Sequence, residues 1–488
     1  MNERACGRAC SAGLGKHPAL ATARGSTPQP VAVLALAVAL CLLMGQAAAQ
    51  TANPAEAEKP VQLQQLPGPA SPPLTITLQD ALDRARKNDA HFLASVTDEK
   101  LAHEDSTQAR NALLPSLSNS TQYLGTEGNG KIPGGRFVTN DGVHVYREWA
   151  VMHQDLSPNT YMLTGYHRAE AAADVAKAKA EIARRGLMVT VTKNYYAFAS
   201  AQRKYATAQQ AVGQAQHFLD ITQAAEHAGQ ASHSDAIKAE IQFEQQQQAF
   251  DEALLAMESS RLDLAVLIFP TLTENFGVVD DLDSPPALPP FSEAQAMAGR
   301  ENPDLRVALE TVREADIDVT AAKGAFLPSL SLDADYGIEA NDFAFRSVVK
   351  ADPLKGPVPN LGYFVTVSLN IPVWDWGTMR SKLHQSEYKQ QQTRDELSEA
   401  QRQLLANLYS SYNEASVARA SVDMSRRTAD LAAESYRLIN LRYQAGESTA
   451  LEMVDAENTL TLARNAFDDA QVRYRVALAN LQTLTGTF

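Results

Sequence analysis

Cysteine occurs three times in 488 residues, as Cys6, Cys10 and Cys41, and not again after residue 41. All three lie inside a stretch with the order of a secretory signal: Arg4, Arg8, Lys16 and Arg24, the apolar run Val31 to Leu43, then Ala47-Ala48-Ala49 before Gln50. Export with cleavage after residue 49 is the expectation, and disulfides and thiolate metal sites are then excluded. A retained anchor is the weaker alternative, because the run holds about 13 residues where a spanning helix needs about 20. Leu40 before Cys41 and Leu42-Leu43 after it continue the apolar core, the pattern of a cleaved signal without lipid attachment.

Long apolar runs are also missing. After residue 50 the best is Leu264 to Phe269, so an exported chain that inserts in a membrane has to do so with strands. Positive charge is scarce: removing four basic and one acidic residue with the signal takes the net charge from −14 to −17, which makes nucleic acid an unsuitable partner. No HExxH, glycine-rich phosphate loop, GxSxG or mature cysteine nucleophile is present, so neither an enzyme nor a cofactor is expected.

Proline is absent from residues 159 to 269 and 373 to 488, which are rich in Ala, Gln, Glu, Leu, Lys and Arg and read as long helices. Each is interrupted near its middle, at Gly229 or Gly446. Gly165, Gly186 and Gly213 weaken the first by about 1 kcal/mol each relative to Ala. After each tip glycine the apolar spacing is seven: Ala236, Phe243, Phe250, Met257 and Leu264 in one, Met453, Leu460, Phe467, Tyr474 and Leu481 in the other. Such spacing predicts coiled helical hairpins, whose arms of about 65 residues would be about 100 Å long.

The chain writes itself twice. LPSLS stands at Pro115 and again at Pro328, 213 positions on, and Ala228-Gly229 is matched by Ala445-Gly446. This predicts a signal peptide at 1–49, a Pro-rich leader at 50–73, a first repeat at 74–279, a linker at 280–290 and a second repeat at 291–488. Between each LPSLS and each long helix the period falls to two, in Val143 to Val151 and Tyr363 to Leu369, with LPSLSNSTQY and LPSLSLDADY as strand partners and Gly-, Asn- and Asp-rich loops at about 125 to 142 and 337 to 360. On this pattern alone, small soluble hairpins are an equal alternative. Four membrane strands cannot close a barrel, for which about eight is the smallest number, so membrane insertion would require several copies to pool strands.

The doubled LPSLS, the corner Ile371-Pro372-Val373-Trp374-Asp375-Trp376-Gly377, the tip Arg442 to Ser448 with Leu451 to Ala456 after it, and the terminal Leu481 to Gly486 together resemble the TolC-type outer-membrane efflux proteins over essentially the whole mature chain. The resemblance implies a mixed α and β membrane protein: a homotrimer with a twelve-stranded barrel in outer-membrane lipid, an α-helical tunnel across the periplasm, and a small α/β belt. It implies a passive exit duct that docks to a periplasmic adaptor and an inner-membrane pump. The substrate is not legible. A soluble periplasmic coiled-coil adaptor or scaffold is the rival.

By the same resemblance, Ala228, Gly229, Gln230, Ala445, Gly446 and Glu447 form the adaptor-docking tip, and Asp235, Glu452 and Asp455 lie at the tunnel constriction. Helix capping by Thr449-Ala450-Leu451-Glu452 and by Ser232 with Asp235 is the competing account of these acids. Relatives with a basic residue two positions past the tip glycine differ from this chain, which has Ala231 and Ser448. His217, His227 and His233 lack the spacing that places metal ligands on one helical face. Trp149, Trp374 and Trp376 are expected near strand ends, suiting an interface belt or corner packing, and Phe488 suits a terminal assembly signal. The corner Leu156-Ser157-Pro158-Asn159 lacks the glycine of its counterpart.

Overall fold

A helix-to-strand joint stands at each copy of LPSLS. The computed structural model describes residues 74–126, 143–229, 231–272, 274–340, 345–346 and 359–486, all within the unit Gln65–Phe488. The signal segment, the Pro-rich leader, Gln230 and Phe488 lie outside the described residues. The chain runs β1 (Leu74–Ile76), α1 (Leu78–Asn88), α2 (Ala90–Asn111), β2 (Ser116–Thr126), β3 (Val143–Asp155), α3 (Pro158–Tyr161), α4 (Thr164–His227) and α5 (His233–Ile268). It continues through β4 (Phe276–Val278), α6 (Phe291–Glu301), α7 (Pro303–Gly324), β5 (Ser329–Ala340), β6 (Leu361–Asn370), α8 (Thr378–Gln444) and α9 (Ala450–Thr485). The residue before Pro115 or Pro328 is pushed out of helical geometry, and the following Ser-Leu-Ser enters the strand.

Capping decides where the short helices break. Thr77 and Asp80 form a reciprocal capping box at the start of α1, Asp89 accepts from Phe92 N at the start of α2, and Asn302 accepts from Leu305 N ahead of Pro303 in α7.

The expectation of two arms near 65 residues holds for one arm of each hairpin. α4 has 64 residues and α8 has 67, or about 95 to 100 Å at 1.5 Å per residue, whereas α5 and α9 have 36 each. Beyond the reach of α5, α4 packs on α2; beyond the reach of α9, α8 packs on α7. α4 also packs on α7 and α9, which joins the two halves laterally.

The main core forms where these helices change partners. Ala81, Leu82 and Ala85 of α1, Val191, Tyr195, Tyr196 and Phe198 of α4, Leu264 and Ile268 of α5, and Phe276 of β4 bury one another beside the small parallel pair β1–β4. The 280–290 segment is pinned to this layer. Arg203 on α4 pairs with Asp280, with Asp283 at 2.9 Å and with Asp468 at 3.3 Å, while the Tyr474 hydroxyl donates to Pro286 O at 2.7 Å.

The remaining strands form one antiparallel sheet in the order β2-β3-β5-β6. They run past their expected limits: β3 continues to Asp155, β2 to Thr126 and β5 to Ala340, which shortens the expected loops. Trp149 therefore stands in the middle of β3 rather than near a strand end, and its expected place is corrected. It is opposite Gly337, which is opposite Gly362, and its ring reaches across this glycine row to Phe364, 5.2 Å between centroids. Such a cross-strand aromatic covers the gap that glycines leave in a sheet.

The N-half corner solves its missing glycine differently. Leu163 takes a left-handed conformation, φ 56°, ahead of α4, whereas the second corner uses Trp376 and Gly377, φ 56° and 83°.

Candidate functional site

Two regions carry the features a functional reading needs: the helical tip and the sheet. At the tip, Ala228 and Ala445 end α4 and α8, and Gly229 and Gly446 follow at φ 73° and 76°. Gly446 N donates to Tyr443 O at 3.0 Å and Glu447 N to Arg442 O at 2.8 Å, the paired bonds of a Schellman turn. Gly229 N donates to Glu226 O at 2.8 Å in the same way. A Cβ at either glycine would meet nothing within 4 Å, so conformation rather than space selects glycine there.

Asp235 and Glu452 open α5 and α9. Asp235 N donates to Ser232 Oγ at 3.2 Å, and the Ser232 hydroxyl donates back to the carboxylate at 2.7 Å. That hydroxyl, helped by Lys238, holds the Asp235 carboxyl below its ordinary range. Glu452 N donates to Thr449 Oγ1 at 3.3 Å, but the Glu452 carboxylate turns to the Ser448 hydroxyl instead of the cap backbone. The expected capping box at Thr449 is thus half formed, and Ser448 takes the missing role. Asp455 is exposed on α9. Among the described residues, no hydrogen bond joins Asp235, Glu452 and Asp455 within one protomer.

His233 Nδ1 lies 2.7 Å from Glu226 across the first turn, and no group of metal-ligating side chains forms among the described residues. Two features escaped sequence reasoning. Tyr443 and Thr222 share a hydrogen bond of 2.9 Å between α8 and α4, with the Phe218 ring tilted against the Tyr443 ring, 5.2 Å between centroids. Glu457, two residues past Asp455, is 1% exposed. The seven-residue spacing around Glu457 was the available signal, since Met453 and Leu460 flank it on the seam.

Residues directly opposite across a ladder share a face, so the register sorts the sheet into two faces. One carries Leu117, Met152, Ala334 and Val365 in one row, Ala150, Tyr336 and Tyr363 in the row on one side of it, and Leu332 and Val367 in the row on the other. Leu117 and Tyr363 are 79% and 78% exposed in the protomer. The other face is mostly polar, with Ser116, Ser118, Ser120 and Gln122 on β2, Arg147 and His153 on β3, Asp333, Asp335 and Glu339 on β5, and Thr366 and Ser368 on β6, interrupted by Val151, Trp149 and Phe364. His153 meets Asp333 at 2.5 Å and Arg147 meets Glu339 at 2.9 Å on this polar side. Glu148 interrupts the apolar face, accepting from Asn119 at 2.6 Å and from Thr121. β2 and β6 each leave one edge of this sheet unpaired.

Known proteins share this arrangement. A family model described as Outer membrane efflux protein matches residues 296–487. TolC of Escherichia coli is 24% identical over 37% of this chain and 36% of its own length, so that match spans about a third of the relative. The outer membrane efflux protein BepC of Brucella suis is 23% identical over 85% of this chain and 86% of its own. The crystal structure of the CmeC outer membrane channel of Campylobacter jejuni superposes with a TM-score of 0.71 at 16% identity, covering 84% of this chain and 85% of that one. The chain thus resembles the TolC-type outer-membrane efflux proteins, in sequence over residues 296–487 and in fold over most of its length.

Proposed function

We propose that the protein is the outer-membrane subunit of a tripartite efflux or type I secretion system, a gated passive conduit from periplasm to exterior. Three copies pool their four strands into a twelve-stranded barrel, and their helices wall a tunnel below it. Each copy was built by tandem duplication of one unit, first repeat and second repeat joined by the 280–290 linker.

The observation that carries this reading is the four-stranded sheet with one apolar face, one polar face and two open edges. A strand edge of 11 or 10 residues left unpaired is a template for another chain, and closure into a barrel abolishes it. The apolar face then meets lipid and the polar face the lumen. Below it, Val417, Met424, Leu431 and Leu438 form an exposed seven-spaced stripe on α8, suited to a helix of the next copy.

At the far end, the short turns at Ala228 and Gly229 and at Ala445, Gly446 and Glu447, with Gln230 beside the first in sequence, dock to a periplasmic adaptor, which couples the conduit to an inner-membrane pump. Threefold rings of Asp235, Glu452 and Asp455 would favour cations and repel anions at the constriction. The energy is the pump's, and the subunit itself performs no covalent chemistry and holds no cofactor.

Membrane fractionation with and without boiling tests the reading. The protein is expected in the outer-membrane fraction, migrating as an oligomer that shifts on heating. Extraction as a soluble monomer would instead favour a periplasmic coiled-coil scaffold.

A further inference from the structure

Glu457 lies on α9 between two apolar clusters, one below it with Met453, Phe218 and Ala239, the other above it with Leu460, Ala463 and Ala432. Its side chain is closed off from solvent within the protomer, and neither carboxylate oxygen makes a well-formed hydrogen bond among the described residues, although the Gln242 amide stands close by. α5 faces it with neutral amides: Gln242 and Gln246 both donate to Asn458 Oδ1 at 3.2 Å. α8 contributes the Tyr436 hydroxyl, on which Glu457 acts electrostatically together with Arg464. Cations on these helices are engaged elsewhere: Arg464 with Gln210 of α4 at 3.5 Å, and Lys238 of α5 with Asp235 at 3.5 Å. Among the described residues, no cation pairs with the carboxylate.

An unpaired carboxylate in such a place is costly, and the seam can relieve the cost by keeping a proton or by opening to water. We propose that Glu457 is a proton-controlled clasp: neutral, it lets α9 pack dry against α5 and α8 just above the tip, and ionised, it forces that seam to admit water and part. The clasp belongs to one hairpin, because Glu240, its counterpart 217 positions earlier, is exposed.

Burial pushes the Glu457 carboxyl up from 4.5 to about 7, opposed in part by the Gln242 amide. An open seam restores the ordinary value, so between these limits the closed form holds a proton that the open form has lost. The closed form is therefore most stable at low pH and loses stability as pH rises toward about 7. Its bearing on an exit path rests on the channel reading, whereas the opening itself does not, so the two fail separately.

Hydrogen exchange on the full chain in detergent, corrected for intrinsic rates, reads the opening directly. Amides at 453–463 should open about tenfold more often at pH 8 than at pH 6. Glu457→Gln should remove this dependence, and Glu240→Gln should keep it. A flat wild-type profile, or an unchanged slope in Glu457→Gln, overturns the clasp. Should Glu457→Gln fail to fold, the wild-type profile decides alone: a rise confined to 453–463 and the facing residues near 242 and 436 supports it, and a flat or uniform profile overturns it.

Discussion

Thr222 and Tyr443 are hydrogen-bonded at 2.9 Å, 221 positions apart in the chain and about two turns and one turn, respectively, before the tip glycines. Thr222 is fully buried and donates its hydroxyl hydrogen to Phe218 O at 2.7 Å, so its oxygen accepts from the Tyr443 hydroxyl. The bond fastens the first hairpin to the second at the end farthest from the sheet. Tyr443→Phe and Thr222→Val should each cost about 1 kcal/mol, with a coupling of similar size in the double mutant. Thermal melting of the three variants measures it, and strict additivity would show that the contact carries no energy.

Leu163 holds φ 56° at the start of α4, with its side chain partly exposed. A left-handed non-glycine residue costs about 1 kcal/mol. Leu163→Gly should therefore leave stability unchanged or raise it by up to about 1 kcal/mol, against the usual direction of a Leu-to-Gly change, as read by melting temperature.

Gly337 has no room for a side chain. A Cβ there would come 1.9 Å from the Glu148 carbonyl oxygen, which belongs to the neighbouring strand backbone and cannot swing away. Gly337→Ala should separate β3 from β5 and abolish the heat-modifiable oligomer. Gly362→Ala, on the same row but with nothing within 4 Å, should be tolerated.

Glu181 accepts from Arg184 and from Arg185, each at 2.7 Å, and Arg185 in turn donates to Thr483 O at 2.7 Å, tying α4 to the end of α9. Arg184 first, against burial and with help from Arg185, lowers the Glu181 carboxyl to about 2. A lowered acid contributes stability that is present above its unfolded value and lost as pH falls, here between about 4.5 and 2. Allowing for solvent screening, that contribution is about 1 to 2 kcal/mol. Glu181→Gln should be less stable at pH 7 and lose less of its stability on acidification, as followed by circular dichroism.

The parts of the fold that were legible in sequence are those written in local chemistry. Proline at 115 and 328 marks the joints, period two marks the strands, and glycine at 229 and 446 marks the tips. What was not legible depends on packing at a distance. Nothing local distinguishes Leu163 as left-handed, since the next corner solves the same problem with glycine. The unequal hairpin arms follow from α2 and α7 taking over the far ends of α4 and α8, a tertiary choice invisible to heptad spacing. Glu457 reads as another surface acid beside Glu452 and Asp455 until the amides of Gln242 and Gln246 close over that side of α9.

The central claim is that several copies complete the sheet. Within one protomer β2 and β6 are separated by β3 and β5, about 14 Å at normal strand spacing, which exceeds the reach of a disulfide. No cysteine follows residue 41, so introduced pairs start from a clean background. Cysteines placed at Ser116, Ser118 or Ser120 on β2 and at Phe364, Thr366 or Ser368 on β6 sample the possible registers. The size of the oxidised product on a denaturing gel is the decisive measurement. The account predicts that at least one pair yields covalent dimers and trimers, with the ladder stopping at three. Monomer alone with every pair, or a ladder running past three, would contradict it.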